Sequence, residues 1–326
     1  MKALVTGAGG FIGSHLVERL LSEGAEVRAM VRYNSRSSIG NLEFLSKDKL
    51  QSLEVVQADL RDPDAIIRAT ENITHVFHLG ALIAIPYSYV NPNEFVQTNV
   101  QGTVNVLNAC LRSGSLERVV VTSTSEVYGT AQYVPIDEKH PTQGQSPYSA
   151  SKIGADALAE SYFRAFDLPV NILRPFNTYG PRQSMRAIIP TIIAQLLFSD
   201  AVKLGSLSPR RDLTYVGDTA AGFFKMATCG DAPFGTPLNI GNGDDISIGE
   251  LYELLKDITG SSADLEFDET RVRPEKSEVL RLLCDASWAK ESIDWTPTTS
   301  LRDGLSHTIE WVREHLSAAQ ASEYHV

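Results

Sequence analysis

Tyr148 and Lys152 are the residues of this sequence whose types and spacing best suit acid–base chemistry. They are four residues apart, so their side chains share one face of a helix that starts after Pro147. An ammonium beside a phenol lowers the pKa of the phenol, which can then exchange a proton with a substrate hydroxyl during hydride transfer. The chain has 11 tyrosines, so this spacing also arises by chance. The position of the Tyr148 and Lys152 pair after the apolar run VVVTST is the stronger evidence that the pair is catalytic.

Three polar residues lie at the end of that run and directly after it, where a strand is expected to end. Thr124 can bond the same substrate hydroxyl as Tyr148 and completes a Thr/Tyr/Lys set. Ser125 comes next, and Glu126 then places a carboxylate where a second proton transfer can occur. Alternatively, Glu126 is a structural acid at a strand end. We therefore predict that Thr124, Ser125 and Glu126 are catalytic residues.

A glycine-rich turn, TGAGGFIG, lies between the first expected strand and the first expected helix. It matches T-G-x-x-G-x-x-G through Gly7, Gly10 and Gly13, because Ile12 occupies the place of the last glycine in G-x-G-x-x-G. Residues without Cβ let the backbone approach a pyrophosphate at a helix N-terminus. The alternative is a turn without a ligand. We expect this turn, including Phe11 and Ile12, to bind a dinucleotide.

An arginine stands where NAD-binding sites usually carry an acid, about 20 positions after the glycine turn. This is Arg32, and its polar neighbours are Ser35, Arg36 and Ser37. Guanidinium groups form bidentate bonds with phosphate, so the pattern favours NADP over NAD. Alternatively, Arg32 faces solvent and NAD is held elsewhere, for example by Asp59 and Leu60 near the adenine.

Short apolar runs alternate with helical patterns through the first half, which is typical of a parallel sheet with crossover helices. The expected strands are Lys2–Thr6, Glu26–Val31, Leu53–Gln57, His75–Leu79, Arg118–Ser123 and Pro169–Arg174. The expected helices are Phe11–Leu21, Glu94–Ser113 and Ser149–Phe166. The sequence predicts a doubly wound, Rossmann-like α/β fold whose parallel sheet continues to about residue 175.

The pattern changes after residue 175 to shorter units punctuated by proline and glycine. Helices are expected over Ala187–Phe198 and Asp218–Cys229, with a short strand at Val202–Leu204. We predict a dinucleotide-binding domain over residues 1–175 and a smaller α/β substrate lobe over residues 176–326. The chain is expected to cross between the lobes, which are not independent domains. The cleft between them is the expected site.

Composition excludes several classes of protein. The 326 residues carry a formal charge of -11, which argues against nucleic-acid binding. No apolar run is long enough for a membrane span, and the strand-like KALVTG at residue 2 leaves no room for a signal peptide. The cysteines, Cys110, Cys229 and Cys284, match no metal-ligand spacing and suit a reducing compartment. We expect a cytoplasmic protein without a metal.

Four motifs in order, TGAGGFIG, STSEVYG, PYSASK and RPFNTYGPRQ, resemble those of the extended short-chain dehydrogenase/reductase family of nucleotide-sugar epimerases and dehydratases. The resemblance covers nearly the whole chain. It implies a tightly bound NAD(P), contacted also by Asn99, Tyr148 and Lys152, and a nucleoside-diphosphate sugar in the smaller lobe. It assigns Asn177, Arg211 and Arg273 to the substrate, the arginines chiefly to its diphosphate, although each arginine can instead pair with a nearby acid such as Asp212 or Glu275. It also implies a homodimer, formed as a four-helix bundle by the helices near 94–113 and 149–166.

Ser125 and Glu126 separate the chemistries within this family. The Thr-Ser-Glu sequence resembles that of GDP-mannose dehydratases, whereas 4-epimerases typically carry non-acidic residues there. The runs RYNSRSSIGNLE and SPYSASKIGADALAE look most similar to dehydratases of the legionaminic-acid route. The resemblance therefore implies a 4,6-dehydratase of UDP- or GDP-N-acetylglucosamine. A 4-epimerase, a UDP-glucuronate decarboxylase, which also carries Thr-Ser-Glu, and a non-enzymatic sensor remain alternatives.

Overall fold

Residues 1–230, 233–271 and 279–317 are described by a computed structural model. The strands are β1 (Lys2–Thr6), β2 (Glu26–Val31), β3 (Glu54–Gln57), β4 (His75–His78), β5 (Arg118–Thr122), β6 (Val170–Pro175), β7 (Thr178–Tyr179), β8 (Ala201–Leu204), β9 (Arg210–Asp212), β10 (Thr214–Tyr215), β11 (Pro237–Ile240), β12 (Asp245–Ser247), β13 (Asp264–Phe267) and β14 (Arg281–Leu282). The helices are α1 (Phe11–Ser22), α2 (Lys47–Gln51), α3 (Pro63–Thr70), α4 (Ile85–Val90), α5 (Pro92–Phe95), α6 (Gly102–Arg112), α7 (Pro147–Phe166), α8 (Ile188–Phe198), α9 (Val216–Thr228), α10 (Ile248–Thr259), α11 (Ser287–Ile293) and α12 (Leu301–His315).

Seven strands of the described residues form one parallel sheet in the order β11-β6-β5-β4-β1-β2-β3. The strand order reverses between β1 and β4. In open α/β sheets, ligands bind outside the carboxyl ends of the strands at such a point. The doubly wound α/β fold expected from the sequence is therefore confirmed, and its switch point lies beside the glycine turn.

The sheet extends further than the sequence predicted. We expected it to end near residue 175, but β11 pairs in parallel with β6, with Pro237 opposite Ile172. The prediction was wrong because PLNI is only four residues long and begins with a proline, so it carries little periodic signal. The second half of the chain thus supplies an edge strand to the central sheet.

Helices cover both faces of this sheet, as its apolar strands require. On one face α1 packs with α9 and α11 around Leu16, Phe223 and Trp295. On the other face α3, α6 and α7 bury Ile66, Val106 and other apolar residues. Residues of the second half therefore complete the first layer.

A separate core forms in the second lobe, where α8, α10 and α12 pack around Ile192, Leu251 and Ile309. Strands β8 and β13 pair beside this core, and β9, β12 and β14 form another small sheet. None of the helices in the described residues is both long enough and apolar enough to span a bilayer.

The helix expected over residues 94–113 is not a regular α-helix. It begins as α5, continues through a π-helical segment at Val96–Gln101, and ends as α6. Wider π turns inside helices are frequent at functional sites. Asn99, a predicted cofactor contact, lies in this segment with its side chain buried.

Candidate active site

The glycine turn between β1 and α1 leaves backbone N–H groups without intrahelical acceptors. Gly10 is the N-cap of α1 and has no side chain to cap it. Gly7 has a positive φ of 68°, and a Cβ on Gly13 would lie 2.2 Å from the carbonyl oxygen of Gly7. A glycine is thus required at both positions. The exposed helix N-terminus suits a pyrophosphate.

A cavity of about 870 Å³ opens in front of this turn. Its wall includes every residue of the turn that we predicted to bind cofactor, namely Gly7, Gly10, Phe11, Ile12 and Gly13. It also includes all five predicted catalytic residues, Thr124, Ser125, Glu126, Tyr148 and Lys152, together with Asn177. The structure therefore brings residues from the ends of β1, β5 and β6 to one cavity.

Arg32 and Arg36 lie at the end of this cavity beyond β2, together with Ser35 and Ser38. The loop that carries them is organised by Asn34, whose Oδ1 accepts the N–H groups of Arg36 and Ser38 at 3.1 Å each. Arg32 and Arg36 therefore both line the cavity, where guanidinium groups suit a phosphate.

Three residues considered for cofactor binding are not part of the cavity wall that the described residues form. They are Asp59, Leu60 and Asn99. Asp59 binds the guanidinium of Arg61 at 2.6 and 2.9 Å, which lowers the pKa of its carboxyl group. Leu60 is buried, and its carbonyl accepts the side-chain amide of Asn105 at 2.8 Å. Leu60 packs against the backbone of Gly80 because no Cβ intervenes.

Asn99 is a structural link between the cavity loop and α7. Its Oδ1 accepts the N–H of Leu82 at 2.8 Å, and its Nδ2 donates to the Leu82 carbonyl and to Ser151 Oγ, both at 2.9 Å. Ser151 in turn donates to the carbonyl of Tyr148 at 2.6 Å. Asn99 thus acts on the site through Leu82 and α7.

Helix α7 positions the tyrosine and lysine. It starts at Pro147 because Ser146 and Ser149 form a reciprocal capping box, with Ser149 N–H donating to Ser146 Oγ at 3.1 Å. Tyr148 and Lys152 are 7% and 6% exposed, so both are held by the surrounding core. The side chain of Thr124 lies close to the phenol of Tyr148. That the two bond the same substrate hydroxyl stays a prediction.

The electrostatics of the pair differ from the expectation. Burial raises the pKa of Tyr148 above its usual value; the nearby Thr124 side chain opposes this, and the charges of Glu126 and Asp156 add to it. Burial also lowers the pKa of Lys152, whose Nζ donates to the carbonyl of Thr122. From the sequence, the neighbouring ammonium was expected to lower the pKa of Tyr148. In the structure, desolvation of the buried phenol has the larger effect and raises that pKa.

Glu126 lies in a short 3-10 turn, Ser125–Tyr128, that follows β5. Thr124 caps this turn by accepting the N–H of Glu126 at 3.3 Å. Glu126 is half-buried on the cavity wall, and its charge acts on the phenol of Tyr148. A carboxylate and a phenol therefore face the same space, which permits two proton transfers on one substrate.

Several polar atoms of the cavity wall are buried with no hydrogen-bond partner among the described residues. They are Thr122 Oγ1, Asn177 Nδ2 and Gln183 Oε1. Buried polar groups without partners are costly, so these atoms fit a polar ligand. Sequence reasoning missed Gln183, although it ends the motif RPFNTYGPRQ.

The loop after β6 that carries Asn177 and Gln183 is fastened to α1. His15 Nε2 donates to the carbonyl of Pro181 at 2.9 Å, and Arg182 binds Glu18 at 2.8 Å. Gln183 Nε2 donates to the carbonyl of Thr178 at 3.0 Å, which leaves its Oε1 for a ligand donor. The glycine turn and this loop thus form one unit. A dinucleotide and a polar substrate fit this arrangement: the turn offers the backbone N–H groups at the start of α1, and the loop offers the unpartnered Asn177 Nδ2 and Gln183 Oε1.

Arg211 does not line this cavity. It lies on β9, and its NH1 donates to the carbonyl of Arg210 at 2.9 Å. Arg273 lies outside the described residues. The prediction that two arginines bind a diphosphate is therefore untested.

Comparison with known proteins identifies the family. A model of the GDP-mannose 4,6 dehydratase family matches residues 4–308. UDP-glucose 4-epimerase of Mycolicibacterium smegmatis is 32% identical and covers 96% of this chain and 99% of its own. UDP-glucuronic acid decarboxylase 1 of Arabidopsis thaliana is 32% identical, over 97% of this chain and 71% of its own.

A solved structure extends this likeness to the fold. It is a variant of dTDP-glucose 4,6-dehydratase from Streptomyces venezuelae with NAD bound, and it aligns with a TM-score of 0.86 at 31% identity over 97% of this chain and 98% of its own. These relatives perform three different reactions at nearly equal identity, so identity alone does not separate the chemistries. What they share decides the family: this chain belongs to the nucleotide-sugar dehydratases and epimerases of the extended short-chain dehydrogenase/reductase family.

Proposed function

We propose that the protein is a nucleotide-sugar 4,6-dehydratase. The observation that carries this proposal is that Glu126 faces the same cavity as Tyr148 and acts on its phenol. An epimerase that only oxidises and reduces C4 has no need of a second acid at this place. Residues 1–175 are proposed to hold the cofactor and residues 176–326 most of the sugar nucleotide.

The residues divide the reaction between them. When bound, a nicotinamide dinucleotide supplies the hydride acceptor for C4 and the hydride donor for C6. Tyr148, with Thr124 beside it, takes the proton of the C4 hydroxyl. Glu126 removes the C5 proton, which the new ketone has made acidic, and donates a proton to the C6 hydroxyl as it leaves as water. With hydride returned to C6 and a proton returned to C5, in balance with the proton that Tyr148 took from the C4 hydroxyl, the product is a 4-keto-6-deoxy sugar.

The proposed substrate is UDP- or GDP-N-acetylglucosamine, and it rests on the resemblance of the motifs. The proposed assembly is a homodimer through the helical segments near 94–113 and 149–166. Val96, Leu111 and Phe166 on these segments are exposed apolar residues, which supports an interface there.

Mass spectrometry of reactions with a panel of nucleotide sugars tests the proposed activity. We expect the product of UDP- or GDP-N-acetylglucosamine to have lost one water. Loss of carbon dioxide from UDP-glucuronate would instead identify a decarboxylase. A change of stereochemistry at C4 without a change of mass would identify an epimerase, and no reaction with any sugar would favour a sensor.

For the cofactor, we propose that NADP is preferred, since Arg32 and Arg36 line one end of the cavity. The solved relative contains NAD, so the test must compare both nucleotides. Arg32→Asp is expected to weaken NADP binding far more than NAD binding, because it removes a phosphate partner and adds a repelling charge. Titration of each nucleotide by calorimetry measures this.

Arg19→Asp is a matched control for that substitution, because Arg19 lies on α1 and pairs with Glu23 rather than lining the cavity. It should leave the ratio of the two affinities unchanged. Equal effects of Arg32→Asp on NADP and NAD would mean that Arg32 does not bind a 2′-phosphate. Identification of the nucleotide released by denaturing the purified protein gives an independent answer.

A further inference from the structure

Three consecutive residues at and just after the end of β5 each face a different side chain of α7. The carbonyl of Thr122 accepts Lys152 Nζ, Ser123 Oγ donates to Asp156 Oδ2 at 2.7 Å, and Thr124 lies close to the phenol of Tyr148. The α7 residues are spaced by four, so they lie on one face of the helix. Tyr148 and Lys152 form the predicted acid–base pair, whereas Asp156 has no role in the proposed chemistry.

The carboxylate of Asp156 is 3% exposed and carries a second set of contacts. Its Oδ2 also accepts Nε and NH2 of Arg174 at 3.0 and 2.9 Å. Arg174 is shared in turn with the hydroxyl of Tyr128, which its NH1 binds at 2.9 Å. The charge of Arg174 is thus divided between two partners.

The other oxygen, Asp156 Oδ1, is buried and has no hydrogen-bond partner among the described residues. If Asp156 served only to pair with Arg174, a hydrogen-bond partner for its second oxygen would make the fold more stable, because a buried acceptor without a partner is costly. Its negative charge acts on Lys152, one helical turn away, and on Tyr148. One oxygen of Asp156 is therefore not satisfied by the ion pair with Arg174, and the charge of the carboxylate reaches both Tyr148 and Lys152.

Few other charged groups surround that pair in the described residues. Glu126 faces Tyr148 from the turn after β5, and Arg174 lies behind Asp156 on β6. His78 on β4 is neutral, because burial and the charge of Lys152 lower its pKa to about 3. Asp156 is therefore the carboxylate that supports the ammonium of Lys152.

We propose that Asp156 is a positioning residue, whose carboxylate keeps Lys152 charged and holds α7 in register with β5 so that Tyr148 can exchange its proton. The proposal rests on proton exchange at C4, which a dehydratase and an epimerase share. It is therefore independent of the proposed elimination step.

The pH profile of kcat for Asp156→Asn tests this proposal. The substitution keeps the size of the side chain and removes its charge, while Arg174 stays positive. Both Lys152 and Tyr148 then lose their protons at lower pH. We expect the profile to move to lower pH by about one unit, and kcat to fall at the wild-type optimum. KM should stay nearly constant, since Asp156 does not line the cavity.

Asp218→Asn is the matched control. Asp218 is also a buried aspartate, but it accepts the N–H groups of Thr298 and Thr299 in another part of the fold. Its profile should keep the wild-type position. If Asp156→Asn folds and its profile also stays in place, the proposal is wrong.

Arg174→Gln decides the question if Asp156→Asn does not fold. It leaves the Asp156 charge uncompensated, so the profile should move to higher pH; no shift, or a shift to lower pH, would overturn the proposal. Failure of the underlying chemistry is recognised separately, because Tyr148→Phe would then retain wild-type turnover.

Discussion

Tyr148→Phe is expected to reduce turnover by about 10²- to 10⁴-fold and to leave nucleotide binding unchanged. The substitution removes only the phenol oxygen, which lies close to Thr124 and is proposed to receive the C4 proton, and keeps the buried ring. Steady-state turnover and a nucleotide titration of the same preparation measure the two effects.

Tyr162→Phe is a suitable control, since it makes the same change on the same helix. Its hydroxyl donates to Asn108 Oδ1 at 2.7 Å and lies outside the cavity. This variant should keep nearly full turnover. If Tyr148→Phe retained more than about 10% of wild-type turnover, another group would have to accept the proton.

Glu126→Gln is expected to stop the reaction after oxidation at C4. Glutamine keeps the shape of the side chain but can neither take the C5 proton nor protonate the leaving C6 hydroxyl. Tyr148 can still act, and loss of the Glu126 charge removes one cause of its raised pKa. The near-ultraviolet absorbance of reduced nicotinamide should therefore accumulate with substrate, while formation of the 4-keto-6-deoxy product stops.

Hydrogen exchange at C5 gives a second readout for this variant. In deuterated water, incorporation at C5 should fall in parallel with product formation. Glu160→Gln, on α7 beside Arg164, makes the same change away from the cavity and should behave as wild type. Near-normal product formation by Glu126→Gln would make Glu126 a structural residue.

The grouping of the proposed catalytic residues on one helix and of the proposed cofactor residues in one turn was predictable, because each group is encoded locally. Tyr148 and Lys152 share a helix, and Gly7, Gly10 and Gly13 share one turn. The spacing of these residues in the sequence therefore predicts how they are arranged in space. The position of Asn177 required the family resemblance, since nothing in its own segment indicates which way it faces.

Other features depend on contacts between distant segments. Asp156 meets Arg174 only because α7 packs beside β6. The raised pKa of Tyr148 depends on how completely the core covers the phenol, which spacing does not reveal. Asn99 resembled a cofactor contact, but its amide bonds are taken by Leu82 and Ser151.

The late return of the chain to the central sheet has a consequence for synthesis. Strand β6 is buried along its whole length, yet its outer edge pairs only with β11, which begins at residue 237. Until the ribosome has released that segment, a nascent chain exposes an apolar strand edge of the kind that templates intermolecular pairing. Helix α9 is also made late, so the apolar residues of α1 that pack with it stay exposed until then. Expression of the first 175 residues alone would make this exposed edge permanent, so we expect residues 1–175 to aggregate when they are produced without the rest of the chain.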